Sequence, residues 1–412
     1  MELLTESKIE TTVATALASL NLAGQRLLVL VPDHTRTMPL PLFFRLICDQ
    51  LLGTVAQLDF MVALGTHPPL DEQALLRLFG ISAEERATRY AAVRLINHTW
   101  DDPQALTLLG TIPADEIAAL SGGLLHTEVP VRLNRAVLDY DQLLVCGPVF
   151  PHEVVGMSGG NKYFFPGISG PEVIDFTHWL GALITSYEII GISNTPVRQV
   201  IDRAAALIPT PRHALCCVTS PAGTYGVFFG TPEAAHREAA ALAAQVHIRY
   251  VDQPYQQVLS VLPLMYDEIW VGSKGMYKLE PVVADGGELI IYAPHISDFS
   301  ATHGAVIRQI GFHVRDYFVL QWEKFKHLPL SVIAHSTHLR GMGSFDLQSG
   351  IERPRIRVTL ATGISAADCH AVHLGYRDPA SIDVAVWAAR SDSELLVVPR
   401  AGEVLYRLAS ER

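Results

Sequence analysis

Apolar residues along the chain fall into short unbroken runs separated by amphipathic stretches, and the alternation predicts the architecture. Ile9 to Leu20 repeats apolar residues at helical spacing, with Gly24 as a stop. Arg26-Leu-Leu-Val-Leu-Val31 is then a continuous apolar run, as expected of a strand buried on both faces of a parallel sheet. It ends at Pro32-Asp33-His34-Thr35-Arg36. A helix from Pro41 to Leu52 leads to a second run, Leu58 to Leu64, which ends at Gly65-Thr66-His67. Another helix, Asp71 to Phe79, leads through Val93 to Ile96 and on to Asn97-His98. Asp141 to Cys146 is a further strand, ending in Gly147-Pro-Val-Phe-Pro-His152. Strand followed by helix, repeated, predicts an α/β layered domain.

The second half continues in the same style. Residues 232–249 are alanine-rich and helical, and make a connecting helix. Strand-like runs follow at Glu268 to Val271, Glu288 to Tyr292, Leu330 to Ala334, Arg355 to Leu360 and Glu394 to Val398. The 412 residues suit two or three domains at ~150 residues each. The expectation is two α/β domains with mostly parallel sheets, at 1–240 and 241–412. A helical hinge lies near 232–250, and an active-site cleft lies between the domains.

Composition narrows the function classes. Apolar residues make up 49% and charged ones 18%, which excludes a disordered chain. The net charge of −11 gives no electrostatic footing for nucleic acid or an anionic membrane surface. The N-terminus, MELLTESKIETT, lacks the basic-then-apolar order of a signal peptide, and Val173 to Ile192 is too interrupted by polar residues to span a membrane. Cys48, Cys146, Cys216, Cys217 and Cys369 form no C-x-x-C pair and sit in apolar runs, as reduced buried thiols do. A cytoplasmic protein is expected. Histidine, at 17 residues, is unusually frequent, and several follow strands directly.

Position at strand ends matters because open α/β sheets bind ligands beyond the carboxyl ends of their strands. Asp33 to Arg36, Gly65-Thr66-His67 and Pro151-His152 each deliver an imidazole or a guanidinium there. A fourth element is Gly156-Met-Ser-Gly-Gly-Asn-Lys162, with Pro166-Gly167 after it and His178 sixteen residues past the lysine. A serine-glycine-glycine turn with an adjacent lysine suits a phosphate through exposed backbone N–H groups, or is a tight structural turn. It is neither a P-loop nor G-x-G-x-x-G. Metal signatures are weak. His152-Glu153 does not extend to H-E-x-x-H, and His335/His338 and His370/His373 fall around strand ends or turns.

Taken together and in order, Asp33-His34-Thr35-Arg36, Gly-Thr-His67, Pro-His152, Ser-Gly-Gly-Asn-Lys162, Pro-Gly167 and His178 resemble the lactate racemase family. Gly272-Ser273-Lys274 and Asp285-Gly286-Gly287 resemble its second-domain signature. The resemblance implies nickel in a nickel-pincer nucleotide, a pyridinium-3,5-bisthiocarboxylic acid mononucleotide. Lys162 would be its covalent attachment and His178 the protein's nickel ligand, imidazole being suited to nickel. Asp33, His34, Thr35, Arg36, Gly159 and Gly160 would line it. Arg36 and Lys274 would hold the substrate carboxylate. His67 and His152 would be the two proton-transfer residues, one for each enantiomer. The implied reaction moves the C2 hydride onto the cofactor and back through a 2-oxo acid. Cofactor-maturation proteins are the implied partners.

The second half departs from the family. A tyrosine-glutamine pair precedes the corresponding lysine in lactate racemases, whereas Trp270 and Val271 stand here. The reading is therefore a racemase or epimerase of a 2-hydroxy acid other than lactate, with Tyr277 and Lys278 as nearby candidates for new substrate contacts. His98 is read as structural. Three alternatives stand beside it. One is a C2 epimerase of a sugar acid. Another is a zinc-dependent hydrolase of a phosphorylated small molecule with His67, His152 and His178 as ligands. The third is a non-catalytic anion-binding protein.

Overall fold

The computed structural model of the protein describes residues 2–390 and 393–412. The chain divides into two compact units. Met1–Phe150, Ser158–Ile174 and Arg198–Val246 form the first, and Pro151–Met157, Asp175–Val197 and His247–Arg412 the second. Residues 151–157 and 175–197, expected in the N-terminal domain, thus belong to the second unit. Local periodicity identifies an element but not the core it packs into, so these insertions left no mark in the pattern.

The first unit is built on six strands: β1 (Arg26–Val31), β2 (Gln57–Val62), β3 (Arg94–Asn97), β4 (Gln142–Pro148), β5 (Arg212–Ser220) and β6 (Gly223–Gly230). They lie in the order β6-β5-β4-β1-β2-β3, parallel except for the β5–β6 hairpin. Leu30 of β1 is paired with Met61 on one side and Val145 on the other, and five of its six residues are buried, hence the unbroken apolar run. The helices Glu6–Ala18 and Leu40–Leu51 contribute to the same core. There the Phe44 ring meets Phe60, Phe79 and Tyr90 at centroid distances of 4.9, 5.0 and 4.8 Å. The chain moves outward from β1 to β3 and then restarts at β4 on the other flank of β1. The strand order therefore reverses between β1 and β4, and the segments leaving their carboxyl ends are where an α/β sheet places a ligand.

The second unit has five parallel strands: β7 (Tyr255–Val261), β8 (Val283–Ala293), β9 (Arg357–Thr362), β10 (Gly375–Tyr376) and β11 (Leu395–Val398). Their order is β10-β9-β8-β7-β11. The expected α/β class with mostly parallel sheets is what the chain adopts. Two expected strands are helices instead. Ile269–Gly272 is a helical turn whose Ile269 and Trp270 N–H groups bond the carbonyls of Asp298 and Phe299 at 3.1 and 2.8 Å. Leu330 to Ala334 opens the helix Leu330–Arg340, in which every residue from Ser331 to Leu339 is buried. A helix buried all round shows no polar stripe, and a short apolar run then reads like a buried strand. All five cysteines are free and buried. Among the described residues, no helix is long and apolar enough to cross a membrane.

Asp59, in the middle of β2, is sealed from solvent and pins β3 to the sheet. Its carboxylate accepts the Arg94 backbone N–H (2.8 Å), Arg94 Nε (2.9 Å) and the Tyr140 hydroxyl (2.6 Å). Burial is the largest influence on its pKa and acts upward, but the bonds from Tyr140 and Arg94 outweigh it and hold the group below its ordinary value. A carboxyl depressed in the folded state adds stability that is present above its unfolded pKa and lost as pH falls through the folded one. Asp59→Asn is expected to cost about 2–3 kcal/mol at pH 7. In urea denaturation the gap from wild type should narrow as pH falls below about 4. A gap that stays constant to pH 3 would contradict this.

Candidate functional site

The first unit gathers its site at the ends of β1, β2 and β4. Asp33 follows β1 and is 5% exposed. Its Oδ1 accepts the Thr35 N–H (2.9 Å) and the Thr35 hydroxyl (2.6 Å), while Arg36 Nη1 donates to Thr35 Oγ1 (2.5 Å). Its Oδ2 lies 2.5 Å from His67 Nδ1. The turn that carries His67 past β2 uses Gly65 at φ +58°, and the Gly65 N–H donates to Gly167 O at 2.9 Å, tying this turn to the segment after Lys162. Burial pushes the Asp33 pKa upward. The His67 ring and its hydrogen bond, with Arg36 and Thr35, more than reverse this and hold the group well below the carboxylate range. An ionised carboxylate can only accept, so the proton in this bond sits on His67 Nδ1, and in the neutral ring Nε2 then keeps its lone pair. An oriented imidazole of this kind is equipped as a general base.

The Lys162 turn, after β4, is pinned from below. Ser158 Oγ donates to Pro148 O (3.1 Å) and accepts the Phe150 N–H (3.0 Å). Asn161 Nδ2 donates to Asp202 (3.0 Å) and Glu233 (2.6 Å), and Arg198 Nη1 to Gly159 O (3.1 Å). A Cβ on Gly147 would strike the Tyr163 hydroxyl at 1.7 Å, so glycine there lets the ring of Tyr163 cross β4. The turn does not present the expected row of exposed amides. The Ser158 N–H bonds Phe150 O (2.8 Å), the Gly160 N–H bonds the Cys216 sulfur, and the Lys162 N–H bonds Gly159 O (3.3 Å). Three of the turn's amides thus go to the protein, and its positive charge comes from side chains.

Asp33, Arg36, Ser158, Gly159 and Lys162 line one recess, with Phe150 and Tyr163 among its walls. The Arg36 guanidinium lies 5.8 Å from the centre of the Phe150 ring. Two cations beside flat apolar walls suit a planar, anionic group, and a lysine inside such a recess suits its covalent attachment. Gly160 lies outside that lining; a Cβ there would meet His236 and Pro232 at 2.9 Å. His34 is exposed and lines a second, adjoining recess.

The second unit holds His152, His178 and Lys274. His152, 5% exposed, stands on a two-residue strand paired with Gly156–Met157. Its Nδ1 lies 3.2 Å from the Val154 N–H and 3.3 Å from a Glu153 oxygen, and the position of the ring proton decides which it bonds. Burial raises the Glu153 pKa, yet its backbone hydrogen bond, Lys274, Lys278 and His338 together bring it below the ordinary value. Lys274 Nζ lies 4.9 Å from the centre of the Tyr266 ring. His178 is half-buried on the helix Pro171–Ile184. Its neighbour His338 is pushed down to about 4 by burial, with Glu153 acting upward and His178 downward. Lys278 is buried and donates to Gly402 O at 2.5 Å, and Tyr277 is buried with its ring 6.4 Å from that of His338.

Glu153 and His338 are residues that sequence reasoning missed. Glu153 had a signal, its adjacency to His152, but it was weighed only as part of a metal motif. His338 was placed at a strand end, whereas it and His335 lie on a buried helix. His98 has the structural role expected of it. Its Nε2 meets Ser169 O at 3.1 Å, its Nδ1 meets Asn134 Nδ2 at 3.1 Å, and burial pushes it down to about 4. Among the described residues, no three His, Cys, Asp or Glu side chains converge on a possible metal position. A metal held by one imidazole would therefore need its other donors from a bound organic group.

Residues 5–189 match the lactate racemase N-terminal domain family. The chain is 24% identical over 273 residues to a lactate racemase of Thermoanaerobacterium thermosaccharolyticum, covering 65% of this chain and 60% of that one. It is 24% identical over 157 residues to a lactate racemase of Lactiplantibacillus plantarum, covering 37% and 32%. The matched region thus spans less than two thirds of either relative. A crystal structure of a Thermotoga maritima protein is similar over 99% of both chains, with 32% identity and a TM-score of 0.92. The T. thermosaccharolyticum lactate racemase apoprotein has the same fold, with a TM-score of 0.73 at 18% identity over 97% of this chain and 92% of that one.

The short contact between Asp33 and His67 has a direct signature. Proton NMR in water is expected to show a strongly deshielded imidazole N–H that disappears in both Asp33→Asn and His67→Gln. Because Asp33 stays ionised below the usual carboxylate range, this resonance should persist as pH is lowered to about 4. Its survival in Asp33→Asn would show that His67 bonds elsewhere.

Proposed function

We propose that the chain, whose residues 5–189 match the lactate racemase N-terminal domain family, is an isomerase, a racemase or epimerase of a 2-hydroxy acid other than lactate. The observation that carries this reading is the hydrogen-bonded set Arg36–Thr35–Asp33–His67, with Asp33 and Arg36 lining the recess that contains Lys162. Lys162 and His178 would hold a nickel-pincer nucleotide, delivered by maturation proteins, with Asp33, Arg36 and Gly159 around it. When bound, that group supplies reversible acceptance of the C2 hydride.

Everything else is work for the protein's own side chains. Arg36, fixed through Nη1 by Thr35, offers its charge to the substrate carboxylate, and Lys274 of the second unit offers another. His67 Nε2 takes the hydroxyl proton of one enantiomer, and the Asp33 carboxylate stabilises the imidazolium that results. The opposite enantiomer presents its hydroxyl in the other direction, a geometry one fixed base serves poorly, and His152 is assigned to it. With a proton on Nδ1, His152 has Glu153 within 3.3 Å, a pairing similar in kind to Asp33–His67. The departure at Trp270 and Val271 supports a substrate other than lactate.

His67→Gln and His152→Gln are each expected to lower interconversion in both directions by about 10²–10⁴-fold. Nickel content per chain should be unchanged in both variants. Wild-type turnover in either variant, read by chiral chromatography, would contradict the two-histidine assignment.

A further inference from the structure

Beside the Lys162 recess lies a larger one, of about 440 Å³, formed wholly by the first unit. The two share Pro32, Asp33 and Arg36, so the larger cavity begins at the carboxylate that orients His67 and at the arginine assigned above to the substrate carboxylate. Its wall is otherwise mainly apolar: Met38, Leu40 and Pro41 from the start of the helix Leu40–Leu51, and Leu70, Ala74 and Leu78 on and beside the helix Glu72–Phe79.

We propose that this recess is the side-chain subsite of the enzyme, and that its substrate is a 2-hydroxy acid with a bulky aliphatic or aromatic side chain. The inference rests on the function proposed above. The reasoning is one of size and polarity. A methyl group, the whole side chain of lactate, leaves most of 440 Å³ unfilled, whereas ligand-sized cavities start at about 300 Å³. A polyol chain would fill it but would bury hydroxyls against an apolar wall, each without a partner. Of the four polar residues in the lining, Asp33 is committed to His67 and Thr35, Arg36 is assigned to the substrate carboxylate, and His34 and Arg77 are exposed. An apolar side chain loses nothing there and gains contact with six apolar residues.

The test uses the full chain produced with a cofactor-synthesis system. It compares kcat/KM for lactate, 2-hydroxyisocaproate, 3-phenyllactate, malate and gluconate. The two apolar acids are expected to exceed lactate by about tenfold or more. Ala74→Leu, which fills the recess from an exposed helix, should remove that advantage while leaving lactate within about twofold of wild type. Leu78→Asp, which places a charge in the wall, should act in the same sense. A preference for malate or gluconate, or an Ala74→Leu variant that slows all five alike, would overturn the subsite and leave the parent function standing, whereas a preference for lactate would overturn both the subsite and the exclusion of lactate. No turnover of any of the five, on protein shown to carry nickel, would overturn both.

Discussion

A buried, ionised carboxylate, 2.5 Å from an imidazole nitrogen, is the constraint around which the first unit's site is organised. Left alone, the buried charge of Asp33 would be expensive, and burial does push its pKa upward. It survives because Thr35 donates twice to one oxygen and His67 faces the other, with Arg36 bonded in turn to Thr35. The same bonds fix three functional groups at once: the tautomer of His67, the position of Arg36, and the turn that joins them to β1. Removing the carboxylate would release all three.

That network depends on sheet topology. The strands β1, β2 and β4 are parallel neighbours, so their carboxyl ends emerge together and deliver Asp33, His67 and the Lys162 turn to one edge. The turn is held by bonds that reach far along the chain, from Asn161 to Asp202 and Glu233, and from Arg198 to Gly159. These anchors hold the turn against the protein, and Lys162 and Arg36 supply positive charge to the recess beside it.

Much of this was legible in the chain. Unbroken apolar runs ending in polar residues identified β1, β2 and β4 and placed Asp33, His67 and Lys162 near one another, because in a parallel sheet the ends of strands are the ends that converge. What the pattern could not convey was long-range packing. The helix Leu330–Arg340 is buried on every side and so lost the periodicity that distinguishes it from a strand. His338 and Glu153 come together across nearly two hundred residues, a proximity no local motif encodes. The segments 151–157 and 175–197 join the second unit for the same reason. Asp33 was read as lining the cofactor, and its part in orienting His67 emerged only from the distance between them.

We propose that Lys162 carries a nickel-bearing nucleotide. Intact mass spectrometry with metal analysis, on chain produced alongside a cofactor-synthesis system, is the direct test. The expected result is an added mass that maps to Lys162 with about one nickel per chain, both absent from Lys162→Ala. An unmodified mass, or nickel retained equally by Lys162→Ala, would contradict it.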